Sequence, residues 1–321
     1  MKILNLDPEK FSSEAIKNYK KLGSYSSLKK ISRKKLLSII HNYDVVILRF
    51  AHKFDKELLS KARKLKLIIT NTTGTDHIDE NYIVKKNIKL LSLKNKKKFL
   101  KNITASAEFT WAILMCLVRK IHSASNAFFY KHYDRNQYIG EQMLGKNIGI
   151  LGYGRNGKQI ANFAKSFKMN IFIFDNSTKK FPRFIKKLSI KNILKISDFL
   201  VITLPLTSET KLILNNDNLK FIKKNSYIIN TSRGDLIEES ALLSLLKNNK
   251  IKGAALDVLQ NELSPLFLKK NKLIEYSKKN SNLIITPHIA GVTKESFTIT
   301  ENFLSIQAKK IIENFYNEKK I

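Results

Sequence analysis

Cysteine is nearly absent. The 321 residues contain one, Cys116, which excludes an internal disulfide and a cysteine-rich metal site and suits a reducing compartment. Long apolar runs are missing too. The longest, Phe109–Val118, is interrupted by Thr110 and falls well short of the ~20 residues a bilayer span needs. The N-terminus, MKILNLDPEK, has one short apolar strand and then charges, with no secretory apolar region. These absences predict a soluble, cytoplasmic chain with no membrane partner. No metal is expected: His41, His52, His77, His122 and His132 stand in no ligand spacing and read as structural. Acidic residues are few, 26 Asp+Glu against 59 Lys+Arg, for a formal net charge of +33. Such a field attracts nucleic acid or anionic membranes without specificity. Yet only eight of the cations are Arg, and the lysines are scattered along the whole chain. A nucleic-acid reader clusters its cations and uses the arginine fork. The charge therefore reads as a compositional bias shared with abundant Asn and Ile, and no specific nucleic-acid partner is expected.

What is present is ample for packing. The hydrophobic fraction is 43%, and the length suits two domains rather than one core. Short apolar runs alternate with helical periodicity throughout, the pattern of parallel α/β folds. In the first third, strands are predicted at Lys2–Leu6, Asp44–Leu48, Leu67–Thr70 and Ile88–Leu91, with helices around Ser12–Lys21, Arg33–His41 and Lys56–Ala62. This part has no glycine-rich phosphate loop. The lysine-rich Lys94–Lys101 is the best candidate for a loop or domain crossing. The apolar Ala105–Arg119 predicts a helix running on through Ile121–Tyr130. A second α/β series follows, with strands at Asn147–Leu151, Asn170–Phe174, Phe199–Thr203, Ser226–Asn230, Lys252–Asp257 and Leu283–Thr286. A last helix, Lys294 to Glu318, carries apolar Phe297, Phe303, Ile306, Ile311 and Phe315. No internal repeat is visible.

The segment NIGILGYGRNG (147–157) places Gly152, Gly154 and Gly157 in GxGxxG spacing after an apolar strand and before a helix, Lys158–Phe167. Gly152 would make the tight turn, Gly154 would admit a pyrophosphate close to the backbone, and Gly157 would let helix and strand pack. The helix N-terminus offers N–H groups to the anion. Asp175 ends the next strand, 18 residues beyond Gly157, where an acid would bond the adenosine ribose hydroxyls. Its charge would repel a 2′-phosphate, so the expected cofactor is NAD rather than NADP.

Three later strands end in polar residues: INTSRGD (229–235), GAALDVLQNE (253–262) and ITPHIAG (285–291). Ligands of open α/β sheets sit at the carboxyl ends of strands, so Arg233, Asp257, Glu262 and His288 would share one edge. Hydride transfer to a keto acid needs a cation on the carboxylate and carbonyl, and an acid to protonate the forming alkoxide. Arg233 suits the first task with its bidentate fork. His288 suits the second because imidazole titrates near neutrality, and Glu262 on its other nitrogen would favour the charged ring and fix it. Asp257 would accept a bond from the nicotinamide carboxamide.

With these residues in view, the sequence resembles the D-isomer-specific 2-hydroxyacid dehydrogenase family, in a short, phosphoglycerate-dehydrogenase-like form. The resemblance covers nearly the whole chain through LGKNIGILGYGRNGKQIA, INTSRGDLIEESALL, GAALDVLQNE and ITPHIAGVTKES, in that order. It implies that Arg233, Glu262 and His288 are the catalytic arginine, glutamate and histidine. Arg155 and Asn156 fall on the pyrophosphate turn, and Thr203, Pro205, Thr231, Ser232, Asp257 and Gly291 on cofactor contacts. NTTGTDHID (71–79) resembles the loop whose amides hold the substrate carboxylate, at Thr73 and Gly74. Arg49 in VVILRF resembles a substrate-side arginine. The implied fold is two parallel-sheet α/β domains: a Rossmann NAD-binding domain, 103–291, inserted into a flavodoxin-like substrate domain, 1–102 and 292–321. A homodimer without a regulatory domain is also implied. Two departures stand out: SLKNKKKF (92–99) replaces the Asn-x-Pro-Gly of many members, and Leu263 follows Glu262 where Pro is frequent. The glutamate argues against formate, which a branch with glutamine oxidises. A small 2-keto or 2-hydroxy acid is the expected substrate, of phosphoglycerate, glycerate/glyoxylate or D-lactate type. Lys94–Lys101 and Arg49 together would favour a second anionic group on it. The alternative class, an NAD(H)-sensing corepressor-like interaction protein, fits the intact Arg–Glu–His set less well.

Overall fold

The computed structural model describes residues 1–127, 134–177 and 180–317. The expected helical continuation over 128–130, His132 and Glu318 lie outside the described residues. The chain divides into two compact units, Met1–Ile103 with Val292–Ile321, and Thr104–Gly291.

The first unit begins with β1 (Lys2–Asn5), α1 (Ser13–Leu22), β2 (Ser24–Ser27), α2 (Arg33–Ile39), β3 (Val45–Leu48), α3 (Lys56–Lys61), β4 (Leu67–Thr70), α4 (Glu80–Lys85) and β5 (Lys89–Ser92). Its five strands are parallel in the order β2-β1-β3-β4-β5, which is the flavodoxin-like order. The central strands VVIL and LIIT are buried at every position, as strands covered on both faces must be. Two elements of this unit were not predicted. The edge strand β2 reads SYSS, with one apolar residue, and forms because its backbone pairs with β1 from Lys2↔Ser24 to Asn5↔Ser27. Helix α4 is only six residues long and starts on the Asp79 cap, which accepts from the Tyr82 N–H.

The second unit contains α5 (Ala105–Val118), α6 (Ile121–Ala127), β6 (Asn147–Leu151), α7 (Arg155–Ser166), β7 (Asn170–Phe174), β8 (Ile185–Lys187), α8 (Ile190–Ile196), β9 (Phe199–Ile202), α9 (Asn216–Leu219), β10 (Tyr227–Asn230), α10 (Glu239–Lys247), β11 (Gly253–Leu256), α11 (Pro265–Lys270), α12 (Lys272–Ser277) and β12 (Leu283–Ile285). Its sheet is parallel in the order β12-β11-β10-β9-β6-β7-β8. The order reverses between β6 and β9, the switch point at which doubly wound sheets bind dinucleotides. Apolar clusters cover both faces, one around Leu200, Ile228 and Leu242, the other around Ile150, Ile160 and Leu114. The predicted run past Arg119 is broken: Lys120 takes a left-handed φ of 53°, which a continuous helix of L-residues does not accommodate.

The chain then returns to the first unit as α13 (Lys294–Asn317). Its buried face is not the expected apolar one. Leu304, Ala308, Ile312 and Phe315 are buried, but so are Ser296, Thr300, Glu301 and Ser305, whereas Ile306 is 52% exposed. The polar positions have partners: Ser305 Oγ accepts from Asn18 Nδ2 at 2.9 Å, and Glu301 accepts from the Ser12 N–H at 2.7 Å. Among the described residues, no helix is long and apolar enough to cross a membrane, and no group of three or more His, Cys, Asp or Glu is placed to hold a metal.

Candidate active site

The glycine turn follows β6. Gly152 has φ +95° and its N–H donates to the Phe174 carbonyl at 2.7 Å. A side chain there would press on the Thr203 backbone at 3.1 Å, so glycine is required twice over. A Cβ on Gly157 would collide with the Gly152 carbonyl, which explains how α7 packs so closely on the strand. Gly154 differs: a Cβ there meets nothing within 4 Å, and it caps α7 with no side-chain bond. The first-turn N–H groups of α7 thus face open space, the arrangement that binds phosphate. Asn156 Oδ1 is buried there with no hydrogen-bond partner among the described residues. Burial pushes the neighbouring Arg155 guanidinium down from its ordinary value.

Asp175 sits one residue past β7, beside that turn. Its Oδ2 accepts from the Tyr153 N–H at 2.7 Å and its Oδ1 from the Ser177 N–H at 2.8 Å. Burial would raise its carboxyl, but the Ser177 and Tyr153 bonds and the Lys187 charge outweigh it and hold it below the usual range. Thr203 Oγ1 donates to the Gly152 carbonyl at 2.6 Å, and the Pro205 carbonyl accepts from Thr210 at 2.7 Å. An uncapped helix end, open space above a glycine and a carboxylate at the next strand end fit an extended dinucleotide.

The other expected residues lie where β10, β11 and β12 end in register, Asn230↔Leu256↔Ile285. Arg233 heads a short 3-10 turn over Gly234–Leu236. Its carbonyl accepts from Asn230 Nδ2 at 2.8 Å, and its NH1 donates to the Ser232 carbonyl at 2.8 Å. Ser232 Oγ donates to the Ile202 carbonyl at 3.2 Å, and Thr231 Oγ1 lies 2.6 Å from Thr110 Oγ1. A Cβ on Gly234 would overlap the Leu259 and Gln260 backbones, so this turn lies directly against the segment leading to Glu262.

His288 Nδ1 lies 2.5 Å from Glu262 Oε1, with the two side chains 22% and 26% exposed. The bond through Nδ1 leaves Nε2 as the other edge of the ring. His288 also holds φ +54°, a backbone state unusual outside glycine. Asp257 explains why it persists. That carboxylate is fully buried, its Oδ1 accepting from Thr286 Oγ1 (2.6 Å) and the Ile289 N–H (2.9 Å), its Oδ2 from the Ala290 N–H (2.7 Å). Burial pushes its carboxyl up, against these bonds and the His288 charge. Asp257, expected at the nicotinamide, pins the loop that carries His288, because a buried carboxylate must spend acceptor capacity on nearby donors. Gly291 ends the same loop, its absent Cβ 3.6 Å from Ser106 Oγ.

Sequence reasoning missed the second brace of this edge. Glu239, at the start of α10, accepts from the Gln260 N–H and from Asn271 Nδ2, each at 2.7 Å, and holds the segment before Glu262. Burial pushes its carboxyl up. A helix-start glutamate is ordinary in sequence, so nothing local marked it.

In the first unit, the loop after β4 carries Thr73 exposed and Gly74 half-buried. Thr72 Oγ1 donates to the Gly74 carbonyl at 2.7 Å and lies 2.9 Å from Thr70 Oγ1. Lys94, expected to supply positive charge, donates to Glu80 at 2.7 Å. Arg49 differs from expectation as well. Its NH2 pairs with Glu301 Oε1 at 2.5 Å, its side chain is 16% exposed, and its guanidinium lies 3.9 Å over the Phe297 ring. It is an internally neutralised cation, not an open anion receptor.

Residues 111–290 match the family model for the NAD binding domain of D-isomer specific 2-hydroxyacid dehydrogenases. The chain is 30% identical to a D-3-phosphoglycerate dehydrogenase of Methanocaldococcus jannaschii over 97% of its own length and 57% of that protein's. It is also 30% identical to a glyoxylate reductase of Aeropyrum pernix, over 88% of this chain and 86% of the relative. It spans about half the length of the phosphoglycerate dehydrogenases it matches. The fold is shared with D-lactate dehydrogenase from Aquifex aeolicus, with a TM-score of 0.84 at 24% identity, covering 100% of this chain and 98% of that one. A family model over more than half of the chain and a relative at 30% identity over nearly all of it show the lineage: the chain belongs to the D-isomer specific 2-hydroxyacid dehydrogenase family.

Proposed function

We propose that this protein interconverts a small 2-oxo acid and its D-2-hydroxy acid, acting in the cytoplasm as a homodimer. The observation that carries the reading is the Glu262–His288 pair at 2.5 Å, set at the strand end beside the arginine turn. When bound, NADH supplies the hydride that the substrate C2 receives. Arg155, Asn156 and the first-turn amides of α7 hold the pyrophosphate, and Asp175 accepts bonds from the ribose hydroxyls. Thr203, Pro205, Thr231, Ser232 and Gly291 line the cofactor path. Thr73 and Gly74 offer backbone amides to the substrate carboxylate. Arg233 holds that carboxylate and polarises the carbonyl.

His288 donates its Nε2 proton to the carbonyl oxygen in reduction and takes it back in oxidation. Glu262 accepts from Nδ1–H, which fixes the ring and leaves Nε2 toward substrate. Asp257 and Glu239 act as positioning residues for this pair.

The test is NADH and NADPH oxidation with glyoxylate, pyruvate, hydroxypyruvate and 3-phosphohydroxypyruvate. Turnover with at least one acid is expected, with NADH favoured over NADPH because the Asp175 carboxylate meets the extra phosphate with like charge. No turnover with any acid removes the enzymatic reading; equal affinity for the two reduced cofactors removes the role of Asp175.

A further inference from the structure

The carboxyl ends of β1, β3 and β4 lie side by side in the first unit, since Asn5 pairs with Ile47 and Leu48 with Thr70. Three polar residues follow those ends, Asp7, Arg49 and Asn71, and all three line one cavity together with Glu301 from α13. Asn71 opens the loop that carries Thr73 and Gly74, so this cavity adjoins the segment proposed to hold the substrate carboxylate.

Arg49 is held from several sides, although its buried Nε has no partner among the described residues. Its backbone N–H donates to Asp7 Oδ2 at 2.7 Å, NH1 to the Glu9 carbonyl at 3.3 Å, and NH2 to Glu301 at 2.5 Å. The Phe297 ring covers the guanidinium at 3.9 Å. Glu301 is only 1% exposed and is further held by the Ser12 N–H. The charged groups lining the cavity are thus two carboxylates and one guanidinium. In a chain of net charge +33, the balance here is negative. An incoming phosphate or second carboxylate that drew Arg49 off Glu301 would leave a buried carboxylate without its counter-charge, which a low-dielectric site penalises heavily. It would also meet Asp7 and Glu301 as like charges.

Building on the proposed 2-oxo acid reduction, we infer that this enzyme selects acids whose side chain carries no negative charge, with Glu301 as the specificity-determining residue that neutralises Arg49. The phosphorylated and dicarboxylic acids are excluded by charge.

The full chain, assayed with NADH at pH 8, decides this. Hydroxypyruvate and 3-phosphohydroxypyruvate differ by the phosphate alone, and kcat/KM should favour the former at least tenfold; pyruvate should outrun oxaloacetate likewise. Glu301→Gln should shift both ratios toward the anionic acid by tenfold or more, through KM rather than kcat. Asp7→Asn keeps an acceptor for the Arg49 N–H and should shift them the same way by less. Should Glu301→Gln fail to fold, the wild-type ratios and Asp7→Asn carry the test. Equal or better use of 3-phosphohydroxypyruvate by the wild type overturns the inference, as do ratios that neither variant moves. If no acid is reduced, the reductase reading fails, and equilibrium binding of glycerate against 3-phosphoglycerate decides the inference instead. Tighter binding of 3-phosphoglycerate overturns it, tighter binding of glycerate upholds it, and binding of neither overturns both.

Discussion

Glu262–His288 in the second unit and Glu301–Arg49 in the first are both carboxylate–cation pairs at 2.5 Å, and the two have opposite physical consequences. Glu262–His288 is about a quarter exposed on each side, and its cation is an imidazole, a side chain whose charge is not permanent. Glu301–Arg49 is 1% and 16% exposed, and its cation is permanently charged. In the proposed reaction the first pair exchanges a proton with a ligand. The second can only remain paired, because separating it strands a charge in a low-dielectric interior. Distance alone does not separate chemistry from structure; burial and the protonation range of the partner do.

The largest expected effect breaks the first pair. His288→Ala removes the proton carrier and should lower kcat for reduction by about 10²- to 10⁴-fold, with NADH binding unchanged by fluorescence titration. A variant retaining near-normal turnover would take His288 out of the reaction.

Breaking the second pair should cost stability. Arg49→Met leaves Glu301 buried without its counter-charge and should destabilise the fold by about 3–5 kcal/mol. Replacing both, as Arg49→Met with Glu301→Leu, should recover most of that. Denaturant midpoints measure both; a single variant as stable as the wild type would show that the pair is not buried in solution.

A subtler change tunes the first pair. Glu262→Gln keeps the shape but loses the charge on the bond to His288, and should lower reductive kcat/KM by roughly one to two orders of magnitude, since this is one charge-assisted bond. Near-normal kcat/KM in the variant would dissolve the partnership.

The smallest effect concerns pH and the second pair. Burial raises the Glu301 carboxyl above its ordinary value, against the opposing Arg49 and Ser12 bonds. A carboxyl raised in the fold binds its proton more readily there than in the unfolded chain. Its contribution to stability is therefore fully present below the unfolded value, near 4.5, and is lost as pH rises through the folded one. The melting temperature of wild type relative to Glu301→Gln should be highest near pH 4 and decline toward neutrality. A difference independent of pH would mean that the carboxyl is not raised.

Much of the second unit was legible because its signals are local. GxGxxG needs only three glycines at fixed spacing, and the structure shows a reason for each: a positive φ at Gly152, open space at Gly154, a close approach at Gly157. The strands NIGIL, YIIN and GAAL declare themselves by composition, and parallel pairing brings their polar ends to one edge. The edge strand SYSS was invisible because its reason for existing is the hydrogen-bonding edge of β1. The hold of Asp257 on the His288 loop was not legible, because a strand-end acid looks the same in sequence whether it faces solvent or a loop.

Residue types and their spacing along the chain determined the two α/β series, the glycine turn and the presence of an arginine, a glutamate and a histidine after successive strands, because backbone propensity and periodicity act over a few residues. What Arg49 can do was decided elsewhere. Its partner lies 252 residues away, within a helix whose spacing reads as apolar, and only the packing of α13 on the first sheet brings the carboxylate to the guanidinium. Electrostatics depends on distance and burial in space, and neither is a property of local sequence.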